Sequence, residues 1–304
     1  MVIKGYDAGT LLKRTIKEVW DDGVLGLSAQ AAYSFFFSLF PILLFLAPLF
    51  SLIGNKREFV SRILERLSTT LPPEAYVLLS NVVKDVVFGK NAPGLISVGI
   101  ILAAFSGSAV IDTLMGALNT AYETKDPRPF WKKRLIAMGF TIVAGIVIGI
   151  ATLVLVAGGS IVDFVARFAH IPGDTKRVWA IAQYPVALIL LTGFIWLLFY
   201  FLPYVKQKKI HVLAAALFTV ALWVIITLIF RWYVTNFGSY NKTYGTIGGV
   251  IVLLTWMYWT MAAFLTGGEL ASELHAGTGK AGAPPAKLPS DALRDAAIAE
   301  QSRF

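Results

Sequence analysis

Cysteine is absent from this 304-residue chain, and only three histidines occur. Without cysteine the protein has no disulfide, no thiolate zinc site and no cysteine nucleophile. His170, His211 and His275 lie far apart and form no His-x-His or His-Glu-x-x-His motif. An Asp-rich magnesium motif and an ATP-binding Gly-x-x-x-x-Gly-Lys-Ser/Thr loop are also missing. The sequence therefore predicts no catalytic residue, no metal site and no cofactor, and a protein that is not an enzyme.

Charge is scarce as well. Asp, Glu, Lys and Arg make up 15% of the residues, whereas hydrophobic residues make up 57% and the mean hydropathy is +0.69. A typical soluble domain has about 25% charged residues. Most of this chain is therefore suited to contact with lipid, and the composition predicts a membrane protein.

The long hydrophobic runs agree with the composition. A helix that crosses a bilayer needs about 20 mostly apolar residues at about 1.5 Å rise per residue. We expect an all-α polytopic membrane protein, and we expect the first run to be retained because it is too long for a cleaved signal segment. Six runs meet the length requirement: Ala31 to Gly54, Gly94 to Leu118, Leu135 to Ala157, Tyr184 to Tyr204, Val212 to Asn236 and Thr246 to Ala271.

Basic residues are distributed unevenly between the two sides of these six helices. Of the 27 Lys and Arg residues, sixteen fall on the side of the two termini. Loops rich in Lys and Arg stay in the cytoplasm. We therefore expect both termini to be cytoplasmic.

The segments outside the helices divide the chain into three parts. Residues 1–30 form a cytoplasmic or interfacial amphipathic segment, with Leu12, Ile16, Val19 and Trp20 along one stripe. Residues 31–274 form the six-helix transmembrane domain, and residues 275–304 form a disordered cytoplasmic tail. Within the transmembrane domain, residues 56–90 have the spacing of two external amphipathic helices, which either cap the bundle or dock a partner protein.

Polar residues inside the hydrophobic runs are the candidate site residues, because such groups are costly in hydrocarbon unless they are paired or functional. Asp112 either pairs with a basic residue near the interface or serves a substrate or proton. Glu269 either pairs with Arg134 or Lys133 or exchanges a proton. The first helix has a kink or break near Phe37. The candidates for a substrate pathway are Ser34, Ser38, Pro41, Ser108, Asp112, Asn119 and Glu269.

Two further groups of residues have structural interpretations. Small residues allow close helix approach, and we expect this of Gly107, Gly116, Gly245, Gly248 and Gly249. The basic run at the start of the third helix follows two aromatic residues, which favours binding to lipid headgroups over binding to nucleic acid. These headgroup anchors are Lys132, Lys133 and Arg134.

Three segments resemble the YihY/BrkB family of bacterial inner-membrane proteins. They are residues 27–41 (LSAQAAYSFFFSLFP), residues 117–122 (ALNTAY) with 128–134 (RPFWKKR), and residues 244–250 (YGTIGGV) with Trp256 and 268–271 (GELA). The resemblance implies a six-helix bundle in the bacterial inner (plasma) membrane with both termini in the cytoplasm. Members of this family carry ribonuclease, virulence and transporter labels.

The residues favour one function over the others. Few charges inside long apolar helices suit transport or translocation of a lipid-like or amphipathic substrate, with membrane lipids as partners. The alternative is a non-catalytic scaffold that binds a cell-envelope protein through residues 56–90. Ribonuclease activity is disfavoured because the chain has no catalytic constellation.

Overall fold

The computed structural model describes the helical parts of the chain and a short N-terminal hairpin. The described residues are 2–3, 6–51, 60–61, 64–65, 68, 76–77, 80–81, 96–168, 175–237 and 246–277. Most of the external segment 56–90, together with Gly245 and residues 278–304 of the expected disordered tail, lies outside these ranges.

Seven helices make up most of the described chain. They are α1 (Ala8–Asp21), α2 (Val24–Ser51), α3 (Ile96–Ala121), α4 (Phe130–Phe168), α5 (Thr175–Phe201), α6 (Lys209–Phe237) and α7 (Thr246–Ala276). Two short strands, β1 (Val2–Ile3) and β2 (Tyr6–Asp7), precede them and pair antiparallel, with Ile3 opposite Tyr6. The sequence predicted the helices but not this hairpin.

The six long helices form a ring. Each helix from α2 to α6 packs against the next one along the chain, and α7 returns to pack against α2. α7 also contacts α3 across the ring, and the short helix α1 packs against α7 and α2. α7 therefore lies deeper in the bundle than the other helices. Half of its apolar segment is buried, compared with 6% for α4.

Four helices are long and apolar enough to cross a membrane within the described residues. Their apolar segments are Phe130–Ala151, Trp179–Phe201, Lys209–Thr235 and Gly248–Ala276, and a shorter apolar segment covers Val24–Leu39. α4 has 39 residues, or about 58 Å at 1.5 Å per residue, which exceeds a bilayer core of about 30 Å. It therefore continues past Ala157, where the hydrophobic run was expected to end.

Prolines lie inside two helices that continue past them. α2 runs from Val24 to Ser51 as a single helix, so the break expected near Phe37 does not occur, although Pro41 lies within it. Pro185 lies inside α5, whereas Pro203 follows its last residue.

The helix α1 is amphipathic and lies against α7. Its buried residues include Leu11, Thr15 and Glu18, whereas Leu12, Ile16 and Trp20 are exposed. Gly23 ends the turn between α1 and α2 with a φ of 62°, a conformation that favours glycine. This turn brings Asp22 to the same end of the ring as the last turn of α7.

Candidate functional site

Polar groups gather at one end of the ring, where α3, α5 and α7 end and α2, α4 and α6 begin. We call it the basic end, because its two loops together with the first turns of α4 and α6, residues 122–134 and 202–209, contain eight Lys and Arg residues and only two acidic residues. Arg128 in the first loop donates a hydrogen bond to the backbone carbonyl of Leu202 in the second. The basic end is therefore an ordered layer, and the candidate site lies just beneath it.

A buried ion pair holds the two loops together. Arg128 donates from Nε to Asp126 Oδ1 at 2.7 Å and from Nη2 to Asp126 Oδ2 at 2.8 Å, and the two side chains are 8% and 7% exposed. Arg128 Nη2 also donates to the carbonyl of Leu202 at 2.7 Å. Burial alone would raise the pKa of Asp126, but the hydrogen bonds and charge of Arg128 outweigh it and lower that pKa. Asp126 is therefore held as a carboxylate.

Asn119 joins the same network. Its amide nitrogen donates to the carbonyl of Met115 at 2.9 Å and to Asp126 Oδ2 at 3.4 Å, and its oxygen accepts from the backbone N–H of Tyr204 at 2.8 Å. Both ends of this predicted pathway residue are thus occupied by protein groups. In this structure Asn119 connects the end of α3 to the loop after α5.

Two more hydrogen bonds fix the end of α3. Tyr122 donates its hydroxyl to Gln207 Oε1, and Gln207 Nε2 donates to the carbonyl of Phe199 at 2.7 Å. Ser272 on α7 donates to the carbonyl of Ala121 at 2.6 Å. Burial, together with the nearby charge of Glu269, raises the pKa of Tyr122. The last turn of α7 is therefore fastened to α3 next to Tyr122.

Two consecutive glycines bring α7 close to three other helices. A Cβ atom on Gly267 would overlap Thr219 Oγ1 and lie 3.3 Å from the Phe199 ring, and one on Gly268 would lie 2.5 Å from Leu118 Cδ2. A side chain at either position therefore requires its neighbours to shift. The next residue along α7 is Glu269, which is 2% exposed. The glycine pair therefore places a carboxyl group inside a tightly packed region.

The charged neighbours that act on Glu269 among the described residues are acidic, namely Asp22, Glu273 and Glu123. The sequence predicted an ion pair with Arg134 or Lys133 as one alternative, and that alternative is wrong. Lys133 Nζ lies 4.0 Å from Asp126 Oδ2, and Arg134 donates to the carbonyl of Phe105 at 2.8 Å and covers its ring. The basic residues are held elsewhere because the Asp126 loop and α3 are nearer to them.

Asp22 contributes a second buried oxygen to this region. Its Oδ2 atom is buried and has no hydrogen-bond partner among the described residues. Burial, followed by the charges of Glu123 and Asp21, raises the pKa of Asp22 from 3.8 to about 6. The turn between α1 and α2 thus carries a carboxyl group that titrates close to neutral pH.

The other predicted pathway residues lie on α2 and α3, which pack against each other. Ser38 donates to the carbonyl of Phe35 at 2.7 Å, and Ser108 to that of Phe105 at 2.6 Å. Ser34 and Asp112 are half-buried, and only the backbone of Pro41 is described. Asp112 forms no ion pair within the described part of the chain, so pairing with an interface cation, predicted as one alternative, does not occur there.

The predicted packing glycines and anchors have varied surroundings. A Cβ on Gly107 would lie 2.6 Å from Thr141 Cγ2, so α3 and α4 approach closely there, whereas one on Gly116 would meet nothing within 4 Å. Gly248 and Gly249 are buried in α7. Lys132 is exposed, while Lys133 and Arg134 are half-buried.

Sequence reasoning did not select several residues that build this site. Opposite charges two positions apart in residues 126–129 (DPRP) were a signal for the Asp126–Arg128 pair. Asp22, Tyr122 and Gln207 gave no periodic signal, because their partners lie far away in the chain. Within the described residues, His, Asp and Glu side chains form no group of three placed to bind a metal ion.

The sequence matches one protein family over most of its length. Residues 15–289 match the family described as Virulence factor BrkB. The chain belongs to this family. It is 32% identical over 248 residues to the Bacillus subtilis protein named "Putative ribonuclease-like protein YfkH", with 82% of this chain and 89% of that protein covered. The family predicted from residues 27–41, 117–134 and 244–271 is therefore confirmed.

More distant relatives are named as UPF0761 membrane proteins. One from Tolumonas auensis is 23% identical, with 85% of this chain and 83% of the relative covered. One from Aromatoleum aromaticum is 24% identical, and the match spans 82% of this chain but 59% of that longer protein. No solved structure matches. The chain is thus a multi-pass membrane protein of the UPF0761/BrkB family.

Proposed function

We propose that the chain crosses the bacterial inner membrane six times and moves a lipid-like or amphipathic substrate. Support for six crossings comes from α2 and α3, which have 28 and 26 residues, or about 42 and 39 Å at 1.5 Å per residue. Both helices are apolar and complete the ring with the four long apolar helices. The basic end would then face the cytoplasm.

The observation that carries the proposal is a pair of carboxyl groups inside this ring without cationic partners in the described residues. Glu269 is 2% exposed and has acidic neighbours, and Asp112 lies half-buried in α3. Charged groups inside membrane-spanning helices are costly, and those that persist mark substrate or ion pathways. Neither residue contributes to the Asp126–Arg128 ion pair of the basic end. A stabilising role in that network therefore does not explain their presence.

The polar lining of the helices favours an amphipathic substrate over a sugar or a hydrated ion. Five buried hydroxyl groups donate to carbonyls of their own helices: Ser28, Ser38, Ser108, Thr192 and Thr219. Their donor capacity is therefore used within the protein. The carboxyl groups of Asp112 and Glu269 and the unpaired hydroxyl groups of Ser106 and Thr227 remain within the described helices. A few polar groups in otherwise apolar helices suit a molecule with one polar group and a large apolar part.

Copurification tests the proposal. The full chain is purified in native-lipid nanodiscs, and bound lipids are identified by mass spectrometry for the wild type and for the Asp112→Asn, Glu269→Gln double variant. A matched control removes two exposed carboxylates, Asp21→Asn and Glu65→Gln. We expect one lipid class to be enriched in the wild type and the control and lost in the double variant. A bulk-lipid profile in all three samples would contradict the proposal.

The second candidate is a scaffold in a cell-envelope complex. It depends on residues 56–90, of which Val60 and Leu64 are buried and Glu65 and Val77 are exposed in the described part. Charge reversal at exposed positions of this segment separates the two functions. A scaffold loses its copurifying protein partner, whereas a transporter keeps its enriched lipid.

A further inference from the structure

The packing around Glu269 limits what this carboxyl group can bind. A Cβ atom on either of the two preceding glycines would meet Thr219, Phe199 or Leu118, so α7 packs closely against its neighbours there. Glu269 itself is 2% exposed. A buried carboxyl group of this kind is open to a proton without any rearrangement of the helices. A proton is the cation that fits.

A series of carboxyl groups leads from Glu269 to the surface. Glu269 interacts electrostatically with Glu273, one turn further along α7, with Asp22 in the turn before α2, and with Glu123 just after α3. Their exposure increases stepwise, because Glu269 is buried, Asp22 and Glu273 are half-buried, and Glu123 is exposed. The series ends at the basic end of the ring.

We propose that Glu269 binds and releases one proton during the working cycle, and that Asp22, Glu273 and Glu123 carry this proton to and from the basic end. The step moves one proton between a carboxylate and hydronium and requires no redox partner. This inference rests on the proposed function, because it supplies the ion gradient as the energy source for substrate movement. The substrate would then move together with, or in exchange for, a proton.

Other charged groups face this series from each element packed against it. α1 contributes Glu18, which is buried, and Arg14, which interacts with Glu273. Tyr122 at the end of α3 interacts with Glu269, and Lys208, in the loop before α6, interacts with His275 on α7. The cations act on Glu273 and His275, whereas the charged neighbours of Glu269 are the acidic residues Asp22, Glu273 and Glu123. A proton at Glu269 therefore removes repulsion among carboxylates.

The deepest carboxyl group of this series has no cationic neighbour among the described residues. The charged neighbours of Glu269 are acidic and include no cation, and the Oδ2 atom of Asp22 is buried without a hydrogen-bond partner among the described residues. An ionised group buried in this way is strongly disfavoured unless it finds a cation. Protonation supplies the missing charge compensation without any change in packing.

Infrared difference spectroscopy tests the proton site directly. The full chain is reconstituted in phosphatidylcholine vesicles, and spectra are recorded between pH 5 and pH 9 in H₂O and D₂O. We expect a carbonyl stretch of a protonated carboxyl group that shifts in D₂O, persists in the Glu65→Gln control and is lost in Glu269→Gln. Glu269→Asp keeps a carboxyl group and should shift the band. This variant tests the site even if Glu269→Gln does not fold. Identical bands in wild type, Glu269→Asp and Glu269→Gln would overturn the proton site.

The same samples separate this inference from the proposed function. Substrate movement without a Glu269-dependent carboxyl band would overturn the proton site and leave the transport proposal standing. A Glu269-dependent band without protein-dependent lipid movement would overturn proton coupling to transport, because protonation would then have nothing to drive. A band together with movement that is lost in Glu269→Gln supports both.

Discussion

Arg128 Nη2 lies 2.8 Å from Asp126 Oδ2 and 2.7 Å from the carbonyl oxygen of Leu202. One guanidinium group thus joins the loop after α3 to the end of α5. Because Asn119 binds both Asp126 and the backbone of Tyr204, the pair belongs to a network that fixes the basic end. Tyr122, which donates to Gln207 in this region and interacts with Glu269, connects the basic end to the carboxyl series.

Removal of Arg128 should therefore destabilise the protein strongly. Arg128→Ala leaves the buried Asp126 carboxylate with only the distant Lys133, at 4.0 Å, as a cation among the described residues, and breaking a buried pair costs about 3–5 kcal/mol. The free energy of unfolding in detergent, followed by tryptophan fluorescence, measures the loss. The matched control is Lys17→Ala, which removes the exposed Lys17–Asp21 pair and should cost less than about 1 kcal/mol. Equal losses in both variants would contradict the structural role of Arg128.

The close contact of α7 with α6 predicts a second effect. Gly267→Ala places a methyl group against Thr219 Oγ1, which is buried and bonded to Ala215. Overpacking of this kind costs about 1–3 kcal/mol or more. Gly139→Ala is the control, since a Cβ there meets nothing within 4 Å. In thermal unfolding, Thr219→Ala should partly rescue Gly267→Ala, and a Gly267→Ala protein as stable as the control would disprove this contact.

Stability should depend on pH through Asp22. Its pKa is 3.8 in the unfolded chain and about 6 in the folded protein, so the folded state binds more protons between these values. Ionisation therefore lowers the stability as pH rises from about 4 to 6, and the full penalty remains above pH 6. Asp22→Asn should raise the melting temperature at pH 8 but have little effect at pH 4. A gain confined to pH 4 would contradict the assignment.

The orientation of the chain can be tested with single cysteines, because the natural chain contains none. Lys125→Cys and Lys206→Cys lie in the exposed loops of the basic end, and Glu65→Cys lies in the segment on the other side. In spheroplasts, an impermeant maleimide should label only Glu65→Cys until the membrane is opened. Labelling of Lys125→Cys in intact spheroplasts would contradict a cytoplasmic basic end.

Helix positions followed from the sequence because lipid contact requires long apolar runs. The runs Val212 to Asn236 and Thr246 to Ala271 correspond closely to α6 (Lys209–Phe237) and α7 (Thr246–Ala276). The start of α5 was missed by nine residues, because Lys176 and Arg177 extend the helix beyond its apolar part. Helix ends depend on local backbone hydrogen bonds, which hydropathy does not report.

The site was only partly visible in the sequence. Glu269 and Asn119 stood out because polar groups are rare in apolar runs. Their surroundings were not predictable, since Asp22, Tyr122 and Gln207 reach them through contacts between distant loops. The ion pairs that were one alternative for Glu269 and for Asp112 do not form among the described residues. The sequence shows which basic residues are near in the chain but not where their side chains point.

Lipid movement in reconstituted vesicles tests the central claim most directly. Vesicles carry headgroup-labelled phospholipid, and an impermeant reductant bleaches the label in the outer leaflet. The wild type and Glu65→Gln should make inner-leaflet lipid accessible, faster with an imposed pH gradient, whereas Glu269→Gln should remain at the protein-free rate. No protein-dependent movement with folded wild-type protein, under either condition, would contradict the transport function.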